Sequence, residues 1–122
     1  MKIPDQIIPD IYETAKLVYE KKVPLSEGAE KLSSKHNMNN TSSRIYINDF
    51  KSLMAGQEFK RTLNAYSMEY FISRIGEDYG DAQFKVSVEA LRKHIRYYES
   101  CHTGQMNSLR DVYEKLSGRG FY

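Results

Sequence analysis

Residues 81–98 read DAQFKVSVEALRKHIRYY, with Phe84, Val88, Leu91, Ile95 and Tyr98 at successive spacings of 4, 3, 4 and 3. Side chains at those intervals share one face of an α-helix, and no strand alternation fits them. Asp81 stands where an N-cap is expected, and Gly80 where a preceding helix would stop. A stripe of this kind is a packing seam, either inside the monomer or across a homodimer.

The same period runs outward in both directions. Beyond His102-Thr103-Gly104, a last helix carries Met106, Leu109, Val112, Tyr113 and Leu116 on one face. On the other side, Thr62 is the expected cap of a long helix bearing Leu63, Tyr66, Tyr70, Phe71 and Ile75, preceded by a connection over 57–61. Thr41 is the expected cap of a helix ending at Ala55 before Gly56, with Tyr46, Ile47, Phe50, Leu53 and Met54 on its inner arc. Its outer arc holds Thr41, Arg44, Ile45, Asn48 and Ser52, flanked by Lys51. Pro9 suits the first turn of a helix running to about Lys21, with Ile11, Ala15, Val18 and Tyr19 inward. Pro24 and Ser26 open another, capped by Ser26, with Ala29 and Leu32 inward and a turn over 37–40 after it. The expected fold class is all-α: a compact bundle of about six helices in a single domain, 1–122.

Length and composition agree with one domain: 122 residues, 40% hydrophobic and 28% charged. No apolar run approaches the ~20 residues of a membrane-spanning helix. Met1–Asp5 lacks a signal-type apolar segment before charge returns, so a cytoplasmic location is expected. A single cysteine, Cys101, leaves no intrachain disulfide and no cysteine-based zinc site. His36, His94 and His102 stand apart, with no partner at metal-ligand spacing. There is no nucleophile motif and no phosphate-cradling glycine loop, and Cys101-His102 is a pair only in sequence. The expectation is a chain without catalytic centre or cofactor.

The formal charge of +2 is unevenly spread. Residues 1–30 hold four Lys/Arg against six Asp/Glu, residues 31–61 hold six against two, and residues 62–122 hold eight of each. The basic window coincides with two helices joined by a turn, a helix-turn-helix-like unit over about 26–55. In such units the N-terminal part of the second helix meets base edges in the major groove. Arg44 suits guanine, Asn48 suits adenine, and Ile45 suits a thymine methyl. Thr41, Ser42, Ser43 and the free amides at the helix start suit a phosphate. Lys51, Lys60 and Arg61 would add sequence-independent attraction. The basic residues Lys85, Arg92, Lys93 and Arg96 have Glu89 and Glu99 within helix-pairing distance and read as a solvated face. Tyr46, Tyr66, Tyr70 and Tyr98 lie on apolar stripes, whereas Tyr97 lies off its stripe and reads as a surface residue.

Three further strings carry a family likeness. They are Met38-Asn39-Asn40-Thr41-Ser42-Ser43 leading into Tyr46-Ile47-Asn48-Asp49-Phe50, then Met54-Ala55-Gly56 with Phe59-Lys60-Arg61-Thr62, and finally the run from Ala90 to Glu99. Together, over about residues 10–116, they resemble the helical module found in front of the nuclease domain in bacterial HNH-type restriction endonuclease-like proteins. The resemblance implies a recognition module for double-stranded DNA in a restriction system, with cutting done by a nuclease domain in cis or in trans. The His-Asn-His motif is absent, so no nuclease centre is expected in this chain, either an excised domain or a free-standing relative. The rival expectation is a helical protein-interaction module, an adaptor or a phage-type inhibitor, for which Ile45 and Ile47 would supply apolar surface.

Overall fold

The structure is a computed structural model that describes residues 3–121. Among the described residues it is all-helical, with six α-helices, a short 3-10 turn at Asp5–Ile7 and no strand. The helices are α1 (Ile8–Tyr19), α2 (Leu25–His36), α3 (Asn40–Ala55), α4 (Ala65–Tyr79), α5 (Asp81–Cys101) and α6 (Asn107–Ser117). None of the described helices is long and apolar enough to cross a membrane. The chain forms two compact units, one reaching to Lys51 and the other beginning at Ser52.

In the first unit, α1 buries Ile8, Ile11, Tyr12, Ala15 and Val18. Tyr12, absent from the expected stripe, is fully buried, whereas Tyr19 keeps 38% of its surface exposed. Both tyrosines set their rings edge-on to Phe50 of α3, with centroids 5.4 and 5.6 Å away. From α2 come Ala29 and Leu32, and from α3 Tyr46, Ile47 and Phe50. The buried Gly28 lets α2 lie close: a Cβ there would stand 2.8 Å from Val18 Cγ2, 3.3 Å from Thr14 Cγ2 and 3.7 Å from Ile47 Cδ1.

The second unit packs α4, α5 and α6 on one another. Met68, Phe71, Ile72 and Ile75 of α4 are buried with Val88, Leu91 and Ile95 of α5 and Leu109, Val112 and Tyr113 of α6. The α5 seam is thus spent within the unit, its ends Phe84 and Tyr98 half-buried. Gly80 alone separates α4 from α5, at φ 96° and ψ 175°, backbone angles natural only to glycine. Its N–H closes α4 on the Gly76 carbonyl, and its carbonyl accepts from Phe84 N, each at 3.0 Å.

Residues 56–64 have no helix or strand, and α5 side chains hold the chain there. Gln83 Nε2 donates to the Met54 carbonyl just before the connection. Lys93 Nζ donates to the Gly56 carbonyl at 2.8 Å, and His94 Nδ1 to the Phe59 carbonyl at 2.6 Å.

Of four expected caps, two move and two are absent. Asn39, not Thr41, caps α3, its Oδ1 accepting from Thr41 N at 2.7 Å. Asn64, not Thr62, caps α4, accepting from Ser67 N at 2.8 Å. α2 begins at Leu25 after Pro24 with no side-chain cap, so Ser26 lies inside it, and α5 likewise starts from Gly80 without a cap from Asp81. Serine, threonine, asparagine and aspartate all cap well, so the residue that precedes the first turn, not its type, decides.

Two changes test this packing by urea unfolding. Gly28→Val places branched carbons against Val18 and Thr14 and is expected to cost about 1–3 kcal/mol, as overpacking does. Asn64→Ala is expected to cost about 1 kcal/mol, and Thr62→Ala less than about half of that, because only the former removes a cap. Equal effects from the two would return the capping role to Thr62.

Candidate nucleic-acid interface

The outer arc of α3 lies at the end of a short turn. Three residues, 37–39, join α2 to α3. Asn37 takes the left-handed conformation at φ 54° and ψ 38°, which asparagine tolerates and which reverses the chain at once. Met38 is buried, and Asn39 caps the next helix. Small side chains allow α2 and α3 to meet: Ser33 Oγ lies 3.2 Å from Ser43 Oγ.

That contact removes Ser43 from the expected anion site. Its side chain is fully buried, and its hydroxyl donates to the Asn39 carbonyl at 3.3 Å. Ser43 is therefore a core hydroxyl under the turn and not a surface donor. Thr41 and Asn48 are exposed, and Ser42, Arg44, Ile45 and Lys51 are half-buried. Ile45, an apolar side chain on the outer arc, is thus partly sheltered. These residues share one helix within the first unit. Lys60 and Arg61 are exposed and belong to the second unit, on the connection between α3 and α4. Lys60 Nζ stands 5.7 Å from the centre of the Tyr97 ring, a cation–π distance.

One polar residue of the arc escapes notice in the sequence. Asn40 is exposed, and its Oδ1 accepts from Arg44 Nε at 2.8 Å. An i to i+4 amide–guanidinium pair was the signal available, hidden because Asn40 reads as part of the turn. Asn40, Arg44 and Asn48 recur every four residues, and Lys51 follows on the same side. From Asn40 to Asn48 the helix rises roughly 12 Å, comparable with the width of the B-DNA major groove.

The end of α2 is fastened to α1 just before the turn. Asp10 Oδ2 lies 2.6 Å from His36 Nε2 and 3.2 Å from Lys35 Nζ. Partial burial pushes the Asp10 carboxyl up, but the hydrogen bonds from His36 and Lys35 outweigh it and hold the group below the ordinary carboxylate range. Sequence spacing gave no sign of this clasp, since its partners are 26 residues apart.

Several of the remaining charged groups are paired. On α5, Lys85 pairs with Asp81 at 3.2 Å and Arg92 with Glu89 through two nitrogens. Glu99 turns to α6, accepting from Arg110 Nε and Met106 N, both at 2.8 Å. Arg96 lies over the Phe121 ring, its guanidinium 5.6 Å from the centre. His102 stacks on Tyr98, ring centres 4.0 Å apart, and its Nδ1 donates to the Tyr98 carbonyl, while the exposed Cys101 thiol lies 3.7 Å from Ser100 Oγ. No cluster of three metal-ligating side chains occurs among the described residues. No protein-family model matches the chain, and no curated protein or solved structure matches it significantly.

The clasp has a defined pH signature. A carboxyl whose folded pKa is depressed stabilises the fold above its unfolded pKa, about 4, and loses that contribution as pH falls through the folded value. Urea midpoints are expected to drop between about pH 5 and pH 2.5, and to drop less in Asp10→Asn. Equal drops in both proteins would show that the clasp contributes nothing to stability.

Proposed function

We propose that this chain binds double-stranded DNA, entering the major groove with the N-terminal half of α3 as the second helix of a helix-turn-helix-like unit. The observation that carries this reading is the outer arc of α3. Asn40, Thr41, Arg44 and Asn48 present polar side chains at the surface, while Tyr46, Ile47 and Phe50 anchor the other face. The three-residue turn and the Ser33–Ser43 contact hold α3 against α2, as a helix pressed into a groove requires.

Within that reading the roles follow from donor geometry. Asn40 occupies Arg44 Nε, which leaves the two terminal guanidinium nitrogens for guanine O6 and N7. Asn48 reads adenine through its amide, and Ile45 offers its partly exposed apolar surface to a thymine methyl. Thr41 and Ser42 meet a phosphate through their hydroxyls, in place of the buried Ser43. Lys51, Lys60 and Arg61 attract the backbone without reading it. The likeness to restriction endonuclease-like modules adds that recognition serves a nuclease domain elsewhere, so no cleavage step is assigned to residues here.

A second reading, a protein-interaction module, is favoured by one observation: Tyr66 of α4 exposes 46% of its surface, beside Tyr70 at 6.3 Å. Titration of labelled duplexes at two salt concentrations separates the two. Arg44→Ala with Asn48→Ala is expected to erase preference among duplex sequences, each lost bidentate contact removing about 1–3 kcal/mol of discrimination. Lys60→Ala is expected to weaken all duplexes alike and to flatten the salt dependence by about one ion. Binding unchanged in both variants would remove α3 from the interface, and absence of duplex binding would leave the exposed tyrosines as the surface to pursue.

A further inference from the structure

We infer that His94 is an acid-sensitive latch that holds the connection between α3 and α4 against α5 and releases it when the ring is protonated. The imidazole is fully buried and lies flat on the Phe59 ring, centres 4.2 Å apart with 5° between the planes. Its Nδ1 is 2.6 Å from the Phe59 carbonyl oxygen. A carbonyl only accepts, so the proton of the neutral ring sits on Nδ1. Nε2 is then a bare lone pair, and it is buried with no hydrogen-bond partner.

Protonation at Nε2 creates an N–H donor and a positive charge together, at a buried atom with no protein acceptor within hydrogen-bond distance. Burial accordingly pushes the ring pKa below the ordinary histidine value, against smaller opposing effects of the Phe59 carbonyl and of Glu58. The surrounding charges do not remove the penalty. On the connection, Glu58 favours the cation while Lys60 and Arg61 carry its own sign. On α5, Lys93 is a like charge and Tyr98 places its ring 6.2 Å away. Among the charged groups of α4 and α6, Lys115 pairs with Glu69, Arg74 with Asp78, and Arg110 with Glu99.

A group whose folded pKa is depressed by burial of its neutral form stabilises the folded arrangement fully above its unfolded pKa, about 6.5. That contribution declines as pH falls from there towards the folded value. The segment freed has no helix or strand of its own over residues 56–64, so side-chain contacts hold it. It carries Lys60 and Arg61, so release would also loosen two candidate phosphate contacts. That last consequence rests on the DNA reading, whereas the latch does not.

NMR on the full chain tests the latch without DNA. The His94 ring carbons and the backbone amides of residues 57–64 are followed from about pH 7.5 to pH 5. The expected result is a ring midpoint below about 6.5, with the amides of Phe59, Lys60 and Arg61 shifting or broadening at that same midpoint. In His94→Asn, whose amide keeps a donor near Nδ1 but does not titrate, those amides are expected to stay still. A ring that titrates at or above about 6.5, or amides that ignore its midpoint, would overturn the proposal. So would amides that still shift in His94→Asn. Where that variant fails to fold, the wild-type midpoints alone decide. Duplex affinity at about pH 7.5 judges the DNA reading separately, because the latch is closed there in both proteins.

Discussion

A stretch of chain that runs through a packed region without helix or strand must still find donors for its carbonyl oxygens, because an unpaired buried acceptor costs as much as a lost hydrogen bond. In this protein α5 provides them. Gln83, Lys93 and His94 reach from one helix to the carbonyls of Met54, Gly56 and Phe59 and fix the course of the chain from the end of α3 into α4. The cap of α4 at Asn64, the burial of Phe59 and Leu63, and the exposure of Lys60 and Arg61 all follow from that fixed course. Two of the three anchors are an amide and an ammonium group. The third is a histidine held in its neutral form.

The two faces of α3 answer to different demands. Its inner face repeats apolar residues at helical intervals, and Phe50 receives the edges of two tyrosines from α1. Its outer face carries amides, a hydroxyl and a guanidinium over its first turns, where the helix dipole favours negative charge. Ser43 stands on the inner face, four residues before Ile47 and seven before Phe50. A hydroxyl at that register keeps the space between α2 and α3 narrow, and a larger side chain would force the helices apart.

What the sequence disclosed and what it concealed divide along physical lines. The number of helices, their order and the buried stripes of α3 and α5 are written in the 3.6-residue period, and Val88, Leu91, Ile95, Ile47 and Leu53 are buried as that period requires. The left-handed residue after α2 was legible in the asparagines of the turn. Caps were misplaced because Thr41 and Asn39, or Thr62 and Asn64, compete with equal chemistry over two positions. Ser43 looked like a surface donor because it stands in the first turn of the helix, but it precedes Ile47 by four residues and Phe50 by seven, so the helical period already places it on the buried face, against Ser33. Tyr12 was overlooked between stripe positions that seemed sufficient. The Asp10–His36 clasp and the Phe59–His94 stack join residues 26 and 35 positions apart, and no local pattern reports such encounters.

The single-residue corner at Gly80 bears on how the second unit assembles. Bringing two helices together across one residue closes almost no loop, so the entropy that a longer connection would forfeit is barely incurred. Neighbouring contacts of this kind form quickly, and pairings between distant segments come later. The α4–α5 hairpin is thus the least costly nucleus available to the unit, with α6 and the connection condensing onto it afterwards. Lengthening that corner would add to the closure cost of the hairpin and displace the two hydrogen bonds by which Gly80 joins the helix ends.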